Sequence, residues 1–408
     1  MADSTPTFRG SSTPLRVFVL NWRDTRNPEG GGSERYIESI ARRLAAGGHR
    51  VTVLCAAHPG APGDETVAGV TYRRRGSKLT VYPRALQYLW SHRRTPDVVV
   101  DVQNGVPFFS RLATRRPVVV LVHHVHREQW PVVYGPLAAR FGWWLESWLA
   151  PRYYRGCQYV AVSEVTKSEL SGLGVRSEHI AVVHNGTDRP PETPGQASTP
   201  TLCVLGRLVP HKRVELALHV TAQLRDTVPG LRLLVVGDGW WSAQLRREAD
   251  RLGIGDVTEF CGFVTETDKH RLVASSWVHL APSLKEGWGL NVMEAASHGV
   301  PTVAFDDAGG LSESVVEGVT GRLVPDLDAF TQATRQLLSD DTARHRMGAA
   351  ARDRALTFHW GASAASFGEV LQGAVAGARE ARVDPRPADG SLAEQIDLRS
   401  YEDVRKVR

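Results

Sequence analysis

Two glutamates with seven residues between them, Glu286 and Glu294, lie in the run Ser283-Leu284-Lys285-Glu286-Gly287-Trp288-Gly289-Leu290-Asn291-Val292-Met293-Glu294-Ala295. The strand-like Val278-His279-Leu280-Ala281 stops at Pro282 and glycines follow. From Leu290 the apolar positions Val292, Met293 and Ala296 return at helical spacing, so the segment reads as a loop breaking into a helix. A helix start presents unpaired N–H groups and a macrodipole equivalent to about half a positive charge. Both favour a phosphate, and Gly287 and Gly289 let a ligand come close. Eight residues at about 100° each return to within roughly 80° of the starting direction, so a helix continuing from the loop turns both carboxylates toward one cleft. One anion site beside two hydroxyl acceptors suits a sugar nucleotide. A bare Glu pair serves equally as dipole complementation on a solvated face, so other residues must decide.

Three further groups bear on that decision. Gly206-Arg207-Leu208-Val209-Pro210-His211-Lys212 follows the strand-like Thr201–Leu205. A guanidinium and an ammonium five residues apart at a strand end can neutralise a diphosphate, the first through its fork and the second as a point charge, although two loop cations also suit plain surface. Gly30-Gly31-Gly32 precedes a helical pattern carrying Ile37, Ile40 and Leu44, which allows close backbone approach to a phosphate or sugar but lacks the GxGxxG spacing of a dinucleotide fold. His123-His124-Val125-His126 ends another strand. A metal centre there is a poor reading, because His123 and His124 point apart on an extended strand and no partner carboxylate is placed by sequence.

The segment from Glu286 to Ala295 resembles the glutamate-seven-glutamate signature of the retaining GT-B glycosyltransferases of family four, down to Glu-Gly-aromatic-Gly-Leu and the terminal Glu-Ala. Gly206-Arg207-Leu208 with Lys212 is similar to that family's Gly-Arg-Leu-x-x-x-Lys motif, whose cations hold the leaving pyrophosphate; Arg213 stands where the family usually has glycine, which puts the local turn in question. The resemblance implies a GT-B fold and a nucleotide-diphosphate sugar, UDP- or GDP-linked, as co-substrate, with no other cofactor and no metal. It implies catalytic roles for Glu286, His123, Arg207 and Lys212, with His123 fitting the register better than His124. It assigns donor binding to Gly31, Gly32, Gly287, Trp288, Gly289, Leu290, Glu294, Gly309, Gly310 and Val264. Glu294 would hold the ribose, and Ala308-Gly309-Gly310-Leu311 with Glu313 would open a second helix toward the phosphates. Gly237-Asp238-Gly239 and Gly262-Phe263-Val264 would lie near the base, and Asn185-Gly186 with Asp188 would form a structural hinge.

Short apolar runs alternating with amphipathic stretches supply the scaffold for these groups, and they argue for parallel sheets covered by helices. Leu15–Leu20, Arg50–Leu54, Asp97–Val100, Val118–Val122, Tyr159–Val162 and Ile180–Val183 read as strands of a first half. Thr201–Leu205, Leu231–Val236, Val257–Phe260, Val278–Ala281 and Thr302–Phe305 read as strands of a second, with helices at Val214–Leu224 and Trp240–Leu252. The length of 408 residues exceeds a single core. The expected architecture is α/β, GT-B: two doubly wound Rossmann-like domains facing across a cleft. Its parts are a flexible N-terminal tail (1–14), an acceptor-side domain (15–190), a donor domain (191–358), a helix crossing back to the first domain (359–383) and a mobile tail (384–408). Pro190, Pro191, Pro194 and Pro200 mark the linker.

Charge divides unevenly. Residues 1–190 hold 25 Lys+Arg against 15 Asp+Glu, net +10; the remainder holds 24 against 29, net −5, which sums to the +5 of the chain. A basic first half suggests an anionic partner, with a membrane surface preferred to nucleic acid because no nucleic-acid module accompanies the arginines. Four scattered cysteines, no apolar run of ~18 residues and a polar N-terminus point to a cytoplasmic protein, peripheral at the membrane if the acceptor is a lipid. Trp143, Trp144, Trp148, Tyr153 and Tyr154 lie among Arg140, Arg152 and Arg155. They raise the same membrane question, but Trp144, Leu145 and Trp148 fall on one helical stripe, which argues for core packing.

These readings converge on a retaining, metal-independent hexosyltransferase whose acceptor is a lipid, glycan or small molecule. A GT-B sugar-nucleotide epimerase would turn over donor without an acceptor. A non-catalytic sugar-nucleotide-binding protein would have little use for Arg207 and Lys212. A dinucleotide oxidoreductase would need the glycine spacing that neither half has.

Overall fold

The computed structural model describes residues 13–383. The expected tail at 384–408, and all but the last two residues of that at 1–14, lie outside them. The first sheet contains β1 (Arg16–Leu20), β2 (Arg50–Cys55), β3 (Asp64–Val67), β4 (Val70–Arg74), β5 (Val98–Gln103), β6 (Val118–Val122), β7 (Gln158–Ala161) and β8 (Ile180–Val182) in the order β3-β4-β2-β1-β5-β6-β7-β8. Every pairing is parallel except β3 with β4. The second sheet contains β9 (Thr201–Leu205), β10 (Arg232–Val236), β11 (Thr258–Gly262), β12 (Val278–Ala281), β13 (Thr302–Phe305) and β14 (Gly321–Val324), all parallel, in the order β11-β10-β9-β12-β13-β14.

Strands such as Val118–Val122 and Thr201–Leu205 are buried at every position, as central strands covered on both faces must be, and their β-branched side chains suit that setting. The eleven strands expected from the sequence all form, within two residues at each end except β5, which runs three residues further, to Gln103. Three more strands form: β3 and β14 at sheet edges, and β4 between β3 and β2; they are short, polar or glycine-led, so their apolar signal is weak.

Strand order reverses between β1 and β5 in the first sheet and between β9 and β12 in the second, and a doubly wound sheet binds ligands beyond the carboxyl ends at such a reversal. The Gly30–Gly32 loop follows β1, His123 follows β6, Arg207 follows β9 and Glu286 follows β12. Topology therefore collects the residues singled out by sequence at two facing reversal points.

The helix Trp360–Val383 returns to the first half. Trp360, Phe367 and Leu371 enter the same core as Val17, Val19 and Tyr36. The crossing is anchored at its start, where Thr187 N–H donates to Phe358 O at 2.8 Å and Gly186 packs directly on the backbone of Trp360. The cysteines are all free thiols; Cys55 and Cys203 are buried. No described helix is long and apolar enough to cross a membrane.

The aromatic stripe departs from the sequence expectation. Trp144 and Trp148 face outward, and the run Pro136–Tyr153 rests on the molecule through Ala139, Gly142, Glu146 and Ala150. The reason is local. The Trp130 ring fills the space beside Gly142, where an added Cβ would collide with it, so no side chain fits at that point of the inner face; Trp143 packs against the core of the first half, while Trp144 and Trp148 are turned out.

Candidate active site

The glycine loop and the cation loop meet face to face. A Cβ on Gly31 would stand 3.0 Å from Arg207 Nε, and one on Gly32 would stand 3.1 Å from Leu290 Cδ1. Arg207 Nη1 donates to Glu29 O at 2.9 Å, so the guanidinium of one half lies on the backbone of the other. Burial holds Arg207 below its ordinary pKa. The N–H of Gly31 is already engaged, donating to Glu34 Oε2 at 2.7 Å in a capping box, so what Gly31 offers a ligand is clearance.

Lys212 Nζ pairs with Glu286 Oε1, and Ser283 Oγ donates to the same oxygen at 2.7 Å. Burial pushes the Glu286 carboxyl upward, but Lys212 and Ser283 outweigh it and keep the group below the usual carboxylate range. The chain around these side chains is fixed by backbone bonds. Leu284 N–H donates to His211 O at 2.8 Å, and Asn291 Nδ2 donates to Leu205 O at 3.1 Å, which ties the glutamate loop to the end of β9. Arg207, Lys212, Ser283 and Asn291 line one small recess at the carboxyl ends of β9 and β12.

Arg213, standing where glycine is usual, keeps the left-handed turn with φ +47°. Such backbone is unfavourable for a side-chain-bearing residue. Its guanidinium is anchored on Pro282 O at 2.9 Å and lies 4.5 Å over the Phe305 ring, two contacts that offset the cost.

Gly289, with φ +92°, caps the helix Leu290–Ser297, whose first N–H groups have no preceding turn to bond to. A side chain at Gly289 would collide with Leu311, so the position requires glycine both for its backbone and for its space. Gly309 and Gly310 pack against this loop. Gly310 N–H donates to Glu286 O at 2.8 Å, which removes it from the donors that the sequence reading directed at the phosphates. Glu313 faces the first half, with Oε1 2.6 Å from His184 Nε2 and Oε2 accepting from Glu164 N–H at 2.8 Å.

The two glutamates do not share partners. Glu294 Oε1 pairs with Lys269 Nζ at 2.8 Å and lies 4.0 Å from Arg35 of the first half, whereas Glu286 belongs to Lys212. Trp288 is buried, its ring 4.5 Å from His184 and 4.9 Å from Phe358, so what it can offer a donor is its backbone. Val264 is half-buried against the cluster of Leu205, Val236 and Val273.

His123 is buried with its ring edge-on to Tyr36 at 5.3 Å, and Nε2 has no partner among the described residues. Burial lowers its pKa to about 4, so the imidazole is neutral near neutral pH. His124 is turned away, 3.0 Å from Gln129 Oε1, its ring tilted against that of His126 at 4.0 Å. Among the described residues no cluster of His, Cys, Asp or Glu could hold a metal ion.

Two residues of this region carried no sequence signal. Lys285 is buried and joins the halves by pairing with Glu128 at 3.0 Å and with Glu169. Arg35, on the helix Gly32–Ala46, reaches Asp188 and Glu266, each at 3.1 Å. A lysine in a loop and an arginine on a helix face look like ordinary surface until the second half is placed beside them.

Residues 30–189 match the model described as Glycosyltransferase Family 4, and residues 189–354 match that described as Glycosyl transferases group 1. The chain carries the two domains of a GT-B glycosyltransferase. This glycosyltransferase is 29% identical to a GDP-mannose-dependent alpha-(1-6)-phosphatidylinositol monomannoside mannosyltransferase of Mycolicibacterium smegmatis, over 87% of its own length and 97% of the relative's. It is 27% identical to a glycogen synthase of Mycobacterium tuberculosis, over 90% and 96%. In three dimensions the glycosyltransferase is similar to a sucrose-phosphate synthase from Thermosynechococcus elongatus, with a TM-score of 0.75 at 19% identity over 89% of this chain and 100% of that one. The likeness shows a shared fold.

Proposed function

We propose that the protein moves a hexose, with retention at the anomeric carbon and without a metal, from a UDP- or GDP-linked sugar to an acceptor hydroxyl. The observation that carries this reading is the meeting of Gly31 with Arg207 across the halves, one loop away from the Lys212–Glu286 pair. In this reading Arg207, Lys212 and the amides from Gly287 to Leu290 take the diphosphate, and Glu294 takes the ribose beside Lys269. Glu286 and neutral His123 face the sugar hydroxyls, Gly31, Gly32 and Gly309 give clearance, and Val264 lies toward the base. Lysine has three protons to donate, so Lys212 can hold a phosphate oxygen while it keeps Glu286 ionised.

The chemistry follows from the charge distribution. As the bond from the anomeric carbon to the diphosphate oxygen breaks, negative charge grows on that oxygen. Fixed cations and helix N–H groups stabilise it without reorganising. The acceptor oxygen bonds the same face of the carbon and its proton passes to the departing phosphate, so no separate protein base is required.

The relatives named above are called after a lipid-linked acceptor, a polysaccharide and a sugar phosphate. They support a nucleotide-sugar donor, GDP-mannose among the candidates, and leave lipid, glycan and small molecule as acceptor classes. An anionic membrane surface on the basic first half belongs to the lipid alternative. The test is a thermal-shift panel of nucleotide sugars. A ligand at ~100 times its dissociation constant adds about 2.7 kcal/mol, and Arg207→Ala and Glu294→Ala are expected to erase the shift. A panel in which no nucleotide sugar shifts the wild type rejects the reading.

A further inference from the structure

Leu137, Phe141, Trp144 and Trp148 recur at intervals of four, three and four along the run Pro136–Tyr153, and they are 84%, 60%, 43% and 45% exposed. Phe141 stacks on Trp144 at 5.9 Å and Trp144 on Trp148 at 5.4 Å, so the rings form one continuous strip. Val132, Val133 and Tyr134, also exposed, precede it. The inner face holds Ala139, Gly142, Glu146 and Ala150, with Trp143 half-buried against the core at its side. A surface helix ordinarily buries its large apolar residues and exposes small or polar ones; here the order is inverted, the mark of a face made for another apolar phase.

Charge identifies that phase. Between Gln129 and Arg155 the only carboxylate is Glu146. It is buried and turned inward, 2.9 Å from His126 Nδ1 and accepting from Trp130 Nε1 at 2.7 Å. The charges left outward are Arg140, Arg152 and Arg155, and Arg152 lies 4.5 Å over the Trp148 ring. Other arginines of the first half are differently placed: Arg73 and Arg75 pair with Asp64, and Arg74 is buried on Asp24 and Glu65. Trp90, also exposed, carries Arg93 at 5.0 Å; the stripe adds to outward arginines a run of exposed rings stacked one on the next. Tryptophan and tyrosine sit well at the level of lipid head groups, and each arginine near an anionic leaflet gains about fivefold in binding. A second copy of the chain is a poorer occupant, because a twofold contact through this strip would bring Arg140 and Arg152 near their own counterparts.

We propose that the Leu137–Trp148 strip, flanked by Arg140 and Arg152, docks the protein on an anionic lipid bilayer. This locates the membrane partnership of the preceding section and rests on it. The strip also lies beside the cleft: Glu146, on its inner side, holds His126, whose ring lies 4.0 Å from that of His124, the neighbour of His123. A bilayer bound there sits next to the acceptor-side wall of the site.

The experiment is flotation of the full chain with vesicles of phosphatidylcholine plus phosphatidylglycerol against phosphatidylcholine alone. It is run for wild type, Trp144→Ser/Trp148→Ser and Arg140→Ser/Arg152→Ser, with thermal melting and the nucleotide-sugar shift measured in parallel. Wild type is expected to float with the anionic vesicles only. Each double variant should lose binding, the arginine pair about 25-fold, while melting and the donor shift stay unchanged. Wild type that stays at the bottom of the gradient overturns the proposal, as does binding that survives both double variants. A dimer that dissociates in the tryptophan variant without any vesicle binding assigns the strip to a second copy instead. The donor shift reads the glycosyl-transfer assignment separately, so either idea can fail alone.

Discussion

Gly287 lies against the carbonyl of His123, so close that a Cβ on Gly287 would collide with that oxygen. The loop carrying Glu286 is therefore seated on the end of β6 in the other half, and the distance between the two walls of the cleft is set by backbone rather than by a flexible side chain.

Gly287→Ala must push the loop off this seat. A displacement of about 1 Å in a positioning element can cost about 100-fold in rate, so kcat/KM is expected to fall by roughly that factor, with the thermal midpoint changed far less. Gly172→Ala, where an added methyl meets open space, serves as the control and should leave turnover unchanged. Turnover within twofold of wild type in Gly287→Ala would show that the seat does not matter.

Removing one fixed donor to a developing oxyanion typically costs ~100- to 1,000-fold in kcat, and Arg207 and Lys212 are assigned that task here. Arg207→Ala and Lys212→Ala are each expected to lose activity in that range. Arg207→Lys should rescue little, because a point charge cannot reproduce the fork that reaches Glu29 O. Steady-state kinetics with the donor found in the thermal panel decides the matter; a variant that changes KM alone would move its residue from leaving-group stabilisation to ground-state binding.

The buried β strands and the carboxyl-end loops were legible in the sequence because valine-rich runs such as Val118–Val122 carry their burial in their composition, and because glycine, arginine and glutamate were spaced as a phosphate site needs. Contacts that exist only after the halves meet were not. Nothing near Gly31 announces that Arg207 will lie on it, and Glu34, which takes the Gly31 N–H, reads as an ordinary first-turn carboxylate. Trp144 and Trp148 carried a helical period whose inner and outer faces could not be told apart without the Trp130 ring that occupies the core side of Gly142.

Acid should weaken the fold through buried imidazoles. Burial lowers the pKa of His123 and His211 to about 4 and of His279 to about 3, against ~6.5 in the unfolded chain. Below pH ~6.5 the unfolded state binds protons that the folded state refuses, so stability present above that pH is lost as pH falls toward 4. Each group adds a slope of up to about 1.4 kcal/mol per pH unit. His279, bonded to Thr302 Oγ1 at 3.1 Å, has the lowest pKa of the three, burial being the main cause with Lys212 adding to it, so it should carry the largest share of the effect. Urea unfolding at pH 7 and pH 5 is expected to show a smaller acid loss in His279→Gln than in wild type. Equal losses in the two proteins would remove this residue from the account.

Lys285 closes the two halves by a different principle from Gly287. Its ammonium is buried between Glu128 and Glu169 of the first domain, and burial pushes the Glu169 carboxyl upward although Lys285 draws it back. Lys285→Met deletes the cation and leaves Glu169 partly desolvated without its partner, which costs about 1–3 kcal/mol. The clasp lies on the interface and not in either sheet, so the loss should appear as separation of the halves. The radius of gyration in solution scattering is expected to rise and donor affinity to fall, while far-ultraviolet dichroism is retained. Adding Glu169→Gln removes the stranded charge and should recover part of the stability without restoring the closed dimension, since a neutral pair need not hold the halves together. A Lys285→Met protein with wild-type radius and wild-type donor shift would mean that the clasp contributes nothing beyond the backbone contact at Gly287.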